Sequence, residues 1–114
     1  MDMPAIDKST FDDLKQMSGA EFINELIDTF LEDAPKLLAE MKSALVTGNV
    51  DSFRRASHSL KSNAATFGAG RLAELAKELE ALGRENKLKE TGDRLKALEE
   101  AVQSACDELR GLKS

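Results

Sequence analysis

The sequence predicts an all-α fold, an antiparallel up-down-up-down four-helix bundle with an additional short N-terminal helix. Three observations carry that reading. Leu, Ala, Glu and Lys dominate the composition, which favours helix over sheet. Apolar residues recur at helical spacing through most of the chain, with no convincing strand, internal repeat or low-complexity segment. Four long amphipathic segments are joined by short links, the pattern of neighbouring antiparallel helices. The 114 residues fit one domain spanning 1–114, large enough to bury roughly 65% of its unfolded surface without a disulfide or a metal.

Residues 1–6 read as a disordered lead-in. Asp7 to about Gln16 forms a short helix with Phe11 and Leu14 as its apolar face. Alone it is too short to hold in water, so it packs across one end of the bundle. Ser18-Gly19-Ala20-Glu21 matches a capping box and starts the next helix. There Phe22, Ile23, Leu26, Ile27, Phe30 and Leu31 form one wide stripe, continued by Leu37, Leu38, Met41, Leu45 and Val46. Pro35 either opens a new helix capped by Asp33 or kinks a single one. The stripe keeps its phase across the proline, which favours one kinked helix ending near Thr47, with Gly48 as terminator. Asn49 or Asp51 caps the third helix, whose apolar residues are Val50, Phe53, Leu60, Ala64 and Phe67, with Ala56 and Ser57 at the edges. Gly68-Ala69-Gly70 turns the chain. The fourth helix runs from about Arg71 to Arg84 with Leu72, Leu75, Ala76, Leu79 and Leu82 inward. After a polar connector, Thr91 caps a last helix whose stripe is Leu95, Leu98, Val102, Cys106 and Leu109.

Composition excludes several functions. A net charge of −5 argues against general nucleic-acid binding, which needs a broad basic surface. One cysteine cannot make an intramolecular disulfide or most cysteine metal sites, and Cys106 reads as core. The start Met1-Asp2-Met3-Pro4 has neither a basic region nor an apolar run behind it, and nothing approaches a membrane span of about 20 apolar residues. The expectation is a soluble, cytoplasmic chain that binds neither nucleic acid nor membrane.

Charge then singles out one segment. From Ser52 to Ala73 there is no acid and there are four cations, Arg54, Arg55, Lys61 and Arg71, in a chain with 16 Lys and Arg against 21 Asp and Glu. The one histidine, His58, sits in that window. Taking about 100° per residue, it lies about 130° from the centre of its helix's apolar stripe and so points outward. Within about 60° of it on the wheel are Asp51, Arg54, Arg55, Lys61, Ser62 and Ala65.

A neutral imidazole is a good nucleophile near neutral pH, and attack on a phosphoryl group suits it. Such transfer rests on positioning and charge stabilisation. Lys61 at i+3 and Arg54 at i−4 are placed to neutralise phosphoryl oxygens, and the small Ser62 at i+4 leaves room for a partner to approach the ring. No second catalytic group and no phosphate-binding glycine loop is visible, so the phosphoryl group and any Mg²⁺ have to come from a partner's site.

The run His58-x-Leu60-Lys61-Ser62-x5-Gly68-x3-Leu72-x6-Leu79-Glu80 resembles the histidine-containing phosphotransfer (HPt) domain of multistep two-component relays. The segment from Glu21 to Met41, with Phe30-Leu31 and Asp33-x-Pro35, is similar to the family's helix beside the phosphorylated one. The resemblance implies a four-helix bundle with an extra N-terminal helix, working as a phosphocarrier without an ATP site or cofactor of its own. It implies that His58 accepts and donates a phosphoryl group, that Lys61 sits near it, and that Gly68 is the helix-ending glycine. It implies response-regulator receiver domains as partners, among them that of a hybrid sensor histidine kinase, with Mg²⁺ only in the receiver. Ser62 stands where the family more often has Gly, and Ser57 where Ala is commoner.

Two other readings compete. The same bundle can be a non-catalytic module that binds a receiver or another helical partner, with His58 incidental. A histidine-kinase dimerisation domain also carries a phosphorylated His on a helix, but it builds its bundle from two chains and usually has an acid directly after the His. Here Ser59 follows, and four long helices suffice for a monomer. Ile27, Leu31 and Leu38 are candidates for an exposed apolar docking patch.

Overall fold

The computed structural model describes residues 5–113. It is all-helical among those residues: α1 (Lys8–Ser18), α2 (Ala20–Thr47), α3 (Val50–Phe67), α4 (Gly70–Arg84), a 3-10 turn at Leu88–Glu90, and α5 (Gly92–Leu112). α3 packs on α2 and α4, α5 packs on α4 and α2, and α1 lies against α2 and α3. No helix among the described residues is long and apolar enough to cross a membrane.

Helix boundaries follow local chemistry. Asp7 caps α1, its carboxylate accepting from the Thr10 amide at 3.2 Å. Asn49 caps α3 in the same way, accepting from the Ser52 amide at 3.1 Å. Gly48 and Gly68 end α2 and α3 in the left-handed conformation, at φ 71° and 77°. Pro35 lies inside one continuous α2, so the reading of a single helix through the proline holds.

Four local expectations are corrected. Ser18 does not cap α2; it is the last residue of α1, and its hydroxyl donates to the Leu14 carbonyl. The chain reverses at Gly19, whose φ of 89° only glycine adopts readily. Thr91 makes no capping bond to α5, because its backbone is already helical and its hydroxyl donates back to the Leu88 carbonyl at 2.9 Å. Phe22 and Val46 are 52% and 88% exposed. The buried line of α2 runs Ile23, Ile27, Phe30, Ala34, Leu38, Met41 and Ala44, and each of those two residues projects about 100° or more away from the centre of that line. Ala5 and Ile6, expected in the disordered lead-in over residues 1–6, are instead held: Ile6 is 1% exposed and the Ala5 amide donates to Glu108 Oε2 at 2.9 Å. Residues 1–4 lie outside the described residues.

One apolar core joins the helices. Phe30 of α2 and Phe67 of α3 meet edge to face with ring centroids 5.3 Å apart. Ile27 and Leu38 belong to this core, leaving only Leu31 partly exposed among the candidates for an apolar docking patch. Ser57, placed at the stripe's edge by the sequence, is fully buried and donates its hydroxyl to the Phe53 carbonyl at 2.7 Å. Cys106 is buried, and burial pushes its thiol pKa up, which fits a packing role.

Gly68 also anchors α1. Its carbonyl accepts from the Asp7 amide at 2.7 Å, and a Cβ there would stand 2.8 Å from Thr10 Cβ and 3.0 Å from the Asp7 carbonyl oxygen. Gly48 has the same backbone conformation but open space around it. Gly68→Ala is therefore expected to destabilise by roughly 2–4 kcal/mol, combining left-handed strain with a clash. Gly48→Ala is expected to cost only about 1 kcal/mol. Urea midpoints of the two variants test this; equal losses would remove the close approach from the account.

Candidate functional site

α3 turns Phe53, Ala56, Ser57, Leu60, Ala64 and Phe67 inward, which leaves His58 on the outside with its side chain 61% exposed. α4 buries Leu72, Leu75, Ala76, Leu79 and Gly83. Gly83 lets the two helices close together: a Cβ there would lie 3.1 Å from the Phe53 ring and 3.6 Å from Arg54 Cβ. One turn earlier, on the shoulder of the same stripe, Glu80 faces α3 and is only 4% exposed.

That carboxylate organises the site. Glu80 Oε2 lies 2.6 Å from His58 Nδ1, and Lys61 Nζ donates to Oε1 at 2.8 Å. Arg84, one turn further along α4, approaches Oε1 at 3.5 Å. Burial pushes the Glu80 pKa up, but the hydrogen bonds and charges of Lys61 and His58 outweigh it, and the carboxyl ends below its ordinary value. Glu80 is thus ionised at neutral pH and can only accept. The proton of a neutral His58 ring is therefore assigned to Nδ1, donated to Glu80. The Nε2 lone pair is left on the solvent side of the ring.

The lowered pKa gives a pH prediction. The folded carboxyl is more acidic than in the unfolded chain, so its contribution to stability is fully present above the ordinary value of 4.5 and is lost as pH falls through the lower folded value. Glu80→Gln cannot titrate there. The stability gap between wild type and Glu80→Gln should narrow as the pH falls below 4.5, read as urea midpoints. A gap independent of pH would mean that the carboxylate's charge is not what the site stabilises.

Of the residues expected at the site, His58 and Lys61 converge on Glu80. Arg54 stands 3.8 Å from Asp51 and shares an open cleft of about 370 Å³ with Arg55, His58, Ser59, Glu80 and Arg84. Ser62 is exposed one turn beyond His58. Gly68 is ten residues further on, about 15 Å along the helix, so its place is at the α1 anchor and not beside the ring. Glu80 and Arg84 were given no role by the sequence reading. The available signal was that Glu80 breaks the apolar shoulder of α4 between Ala76 and Gly83. Its partner 22 residues earlier appears only once the helices pack.

The chain is similar to known phosphorelay proteins over most of its length. The Hpt domain family model matches residues 25–110. The phosphorelay protein LuxU of Vibrio harveyi is 27% identical over 92 residues, 81% of each chain. LuxU of Vibrio cholerae is 34% identical over 76 residues, 67% of each chain. The crystal structure of histidine-containing phosphotransfer protein B (HptB) from Pseudomonas aeruginosa superposes with a TM-score of 0.91 at 25% identity, covering 98% of this chain and 96% of that one. The chain belongs to the Hpt domain family, the phosphotransfer carriers of two-component relays.

Proposed function

We propose that His58 Nε2 is the phosphoryl acceptor, receiving the group from a phospho-aspartate of a receiver domain and passing it to the aspartate of a second receiver. The observation that carries this is an exposed His58 ring whose Nδ1 lies 2.6 Å from the buried Glu80 carboxylate, which leaves Nε2 as the free ring nitrogen. In the forward step the Nε2 lone pair forms a bond to phosphorus while the bond from phosphorus to the aspartyl oxygen breaks. The electron pair leaves with the partner's carboxylate. No proton has to depart, because the Nδ1 proton stays in place and the ring becomes cationic. Glu80 stabilises that developing charge, as an orienting carboxylate does beside a catalytic imidazole. The reverse step returns the same neutral tautomer, so the direction of flow depends on the partners.

Lys61 supports this through Glu80, keeping the carboxylate ionised and fixed, and adds positive potential near the phosphoryl group. Lys61→Ala is expected to slow transfer on the order of tenfold, the equivalent of one charge-assisted hydrogen bond. An unchanged rate would remove Lys61 from the mechanism. Arg54 adds charge on the cleft wall, and Ser62 keeps the approach clear. The proposal further takes the chain as a single-domain, monomeric, cytoplasmic carrier built as an up-down-up-down four-helix bundle. It binds no nucleic acid and has no ATP site or cofactor of its own; Mg²⁺ belongs to the receiver, and a hybrid sensor kinase is a fitting donor.

The test is transfer from a receiver charged on its aspartate, with the label followed onto this chain. Label that is stable to alkali, labile to acid and absent in His58→Gln supports the proposal. Label that survives that substitution refutes the assignment of His58.

A further inference from the structure

A phosphoryl group on His58 Nε2 would carry about −1.5 to −2 charges near neutral pH, a few ångströms from the buried Glu80 carboxylate. The cationic ring between them offsets only one of these charges, so further cations nearby are needed to relieve the repulsion. Four cations surround the ring, and they differ in what they reach. Lys61 touches Glu80 but does not line the cleft beside His58, and its ammonium is engaged at 2.8 Å. Arg54 and Arg55 line the cleft but make no contact with Glu80. Arg84 alone does both: it lines the cleft and approaches Glu80 Oε1 at 3.5 Å, with a side chain 63% exposed.

Resting on the reading of His58 as the acceptor, we infer that Arg84 is a phosphoryl-binding residue, its guanidinium bridging the Glu80 carboxylate and a phosphoryl oxygen on Nε2. The chemistry suits a guanidinium. Its five donors in a planar fork can keep one bond to Oε1 and turn others to the phosphoryl oxygens, and its charge is permanent. The residue reaches the site from α4, next to Gly83, which packs against Phe53 and Arg54, whereas Lys61 lies on α3 one turn beyond His58. Being largely exposed, Arg84 can move to the phosphoryl group without disturbing the core.

Phosphoramidate, a small donor that releases ammonia as its P–N bond breaks, can load His58 without a protein partner. Phosphorus NMR then follows the phosphohistidine signal against pH in wild type, Arg84→Ala, Arg84→Lys and Lys61→Ala, with circular dichroism as the check on folding. Arg84→Ala is expected to raise the phosphoryl titration midpoint by roughly half a unit or more, because a cation holding the dianion is lost. Arg84→Lys keeps part of the effect, and Lys61→Ala moves the midpoint less than Arg84→Ala. Superimposable titrations of wild type and Arg84→Ala would overturn the role of Arg84 while leaving His58 as acceptor. Failure of wild type to take phosphorus on His58, from phosphoramidate and from a charged receiver alike, would overturn both.

Discussion

Replacing His58 with Gln is expected to abolish phosphoryl acceptance and to leave the helical circular dichroism at the wild-type level. The chemical half of that expectation follows from inventory: His58 is the one histidine in the chain, and the one cysteine is buried with its thiol held protonated, so no other side chain offers a comparable nitrogen or sulfur nucleophile at the surface. The structural half follows from burial. The His58 side chain is 61% exposed and is held by Glu80, so Gln removes little packing. Glu80 keeps Lys61 at 2.8 Å. Substitutions of this kind usually stay within about ±0.5 to 1 kcal/mol. A variant that loses labelling because it unfolds would show it in the same spectra, and a folded variant that still takes label would contradict the assignment.

The second large effect is expected at Glu80. Glu80→Ala frees the ring to adopt either tautomer and removes the carboxylate that stabilises the imidazolium formed on transfer. A charge-assisted hydrogen bond of about 2–3 kcal/mol corresponds to a transfer rate lower by roughly 30- to 160-fold. Stability should fall by about 1–2 kcal/mol, because Lys61 and Arg84 can turn to water once their partner is gone. Glu80→Gln separates the two contributions. Its amide oxygen can still accept from Nδ1–H and hold the ring, while its charge is absent and its NH₂ group faces Lys61. Transfer by Glu80→Gln should therefore lie between wild type and Glu80→Ala. Stopped-flow or quenched transfer from a charged receiver reads all three, and rates equal to wild type in both variants would reduce Glu80 to a packing residue.

The difference in legibility between the fold and the site has a physical origin. Helix identity is written at short range: Ile23, Ile27, Phe30, Ala34, Leu38 and Met41 repeat at the spacing of one helical face, and they are the buried line of α2. Gly48 and Gly68 end helices for a reason contained in their own backbones. The outward direction of His58 was readable from its angle to the α3 stripe. Ser18 and Thr91 misled because a capping pattern competes with side-chain bonds to the preceding turn, and the choice rests on backbone angles that the pattern does not fix. Phe22 and Val46 misled because apolar character alone does not say which neighbour covers a face. Glu80 stood in the family motif without a role and Arg84 outside it: their contacts with the α3 site form only after α4 packs on α3, which Gly83 permits by lacking a side chain. The bond from Lys61 to Glu80 became visible in the same way.

The most direct test of the central claim is nitrogen NMR of the His58 ring before and after transfer from a charged receiver. The account predicts a neutral ring protonated on Nδ1 beforehand and phosphorus bonded to Nε2 afterwards, with the Nδ1 proton retained. Phosphorus on Nδ1, or label that leaves the His58 ring unmodified, would contradict it.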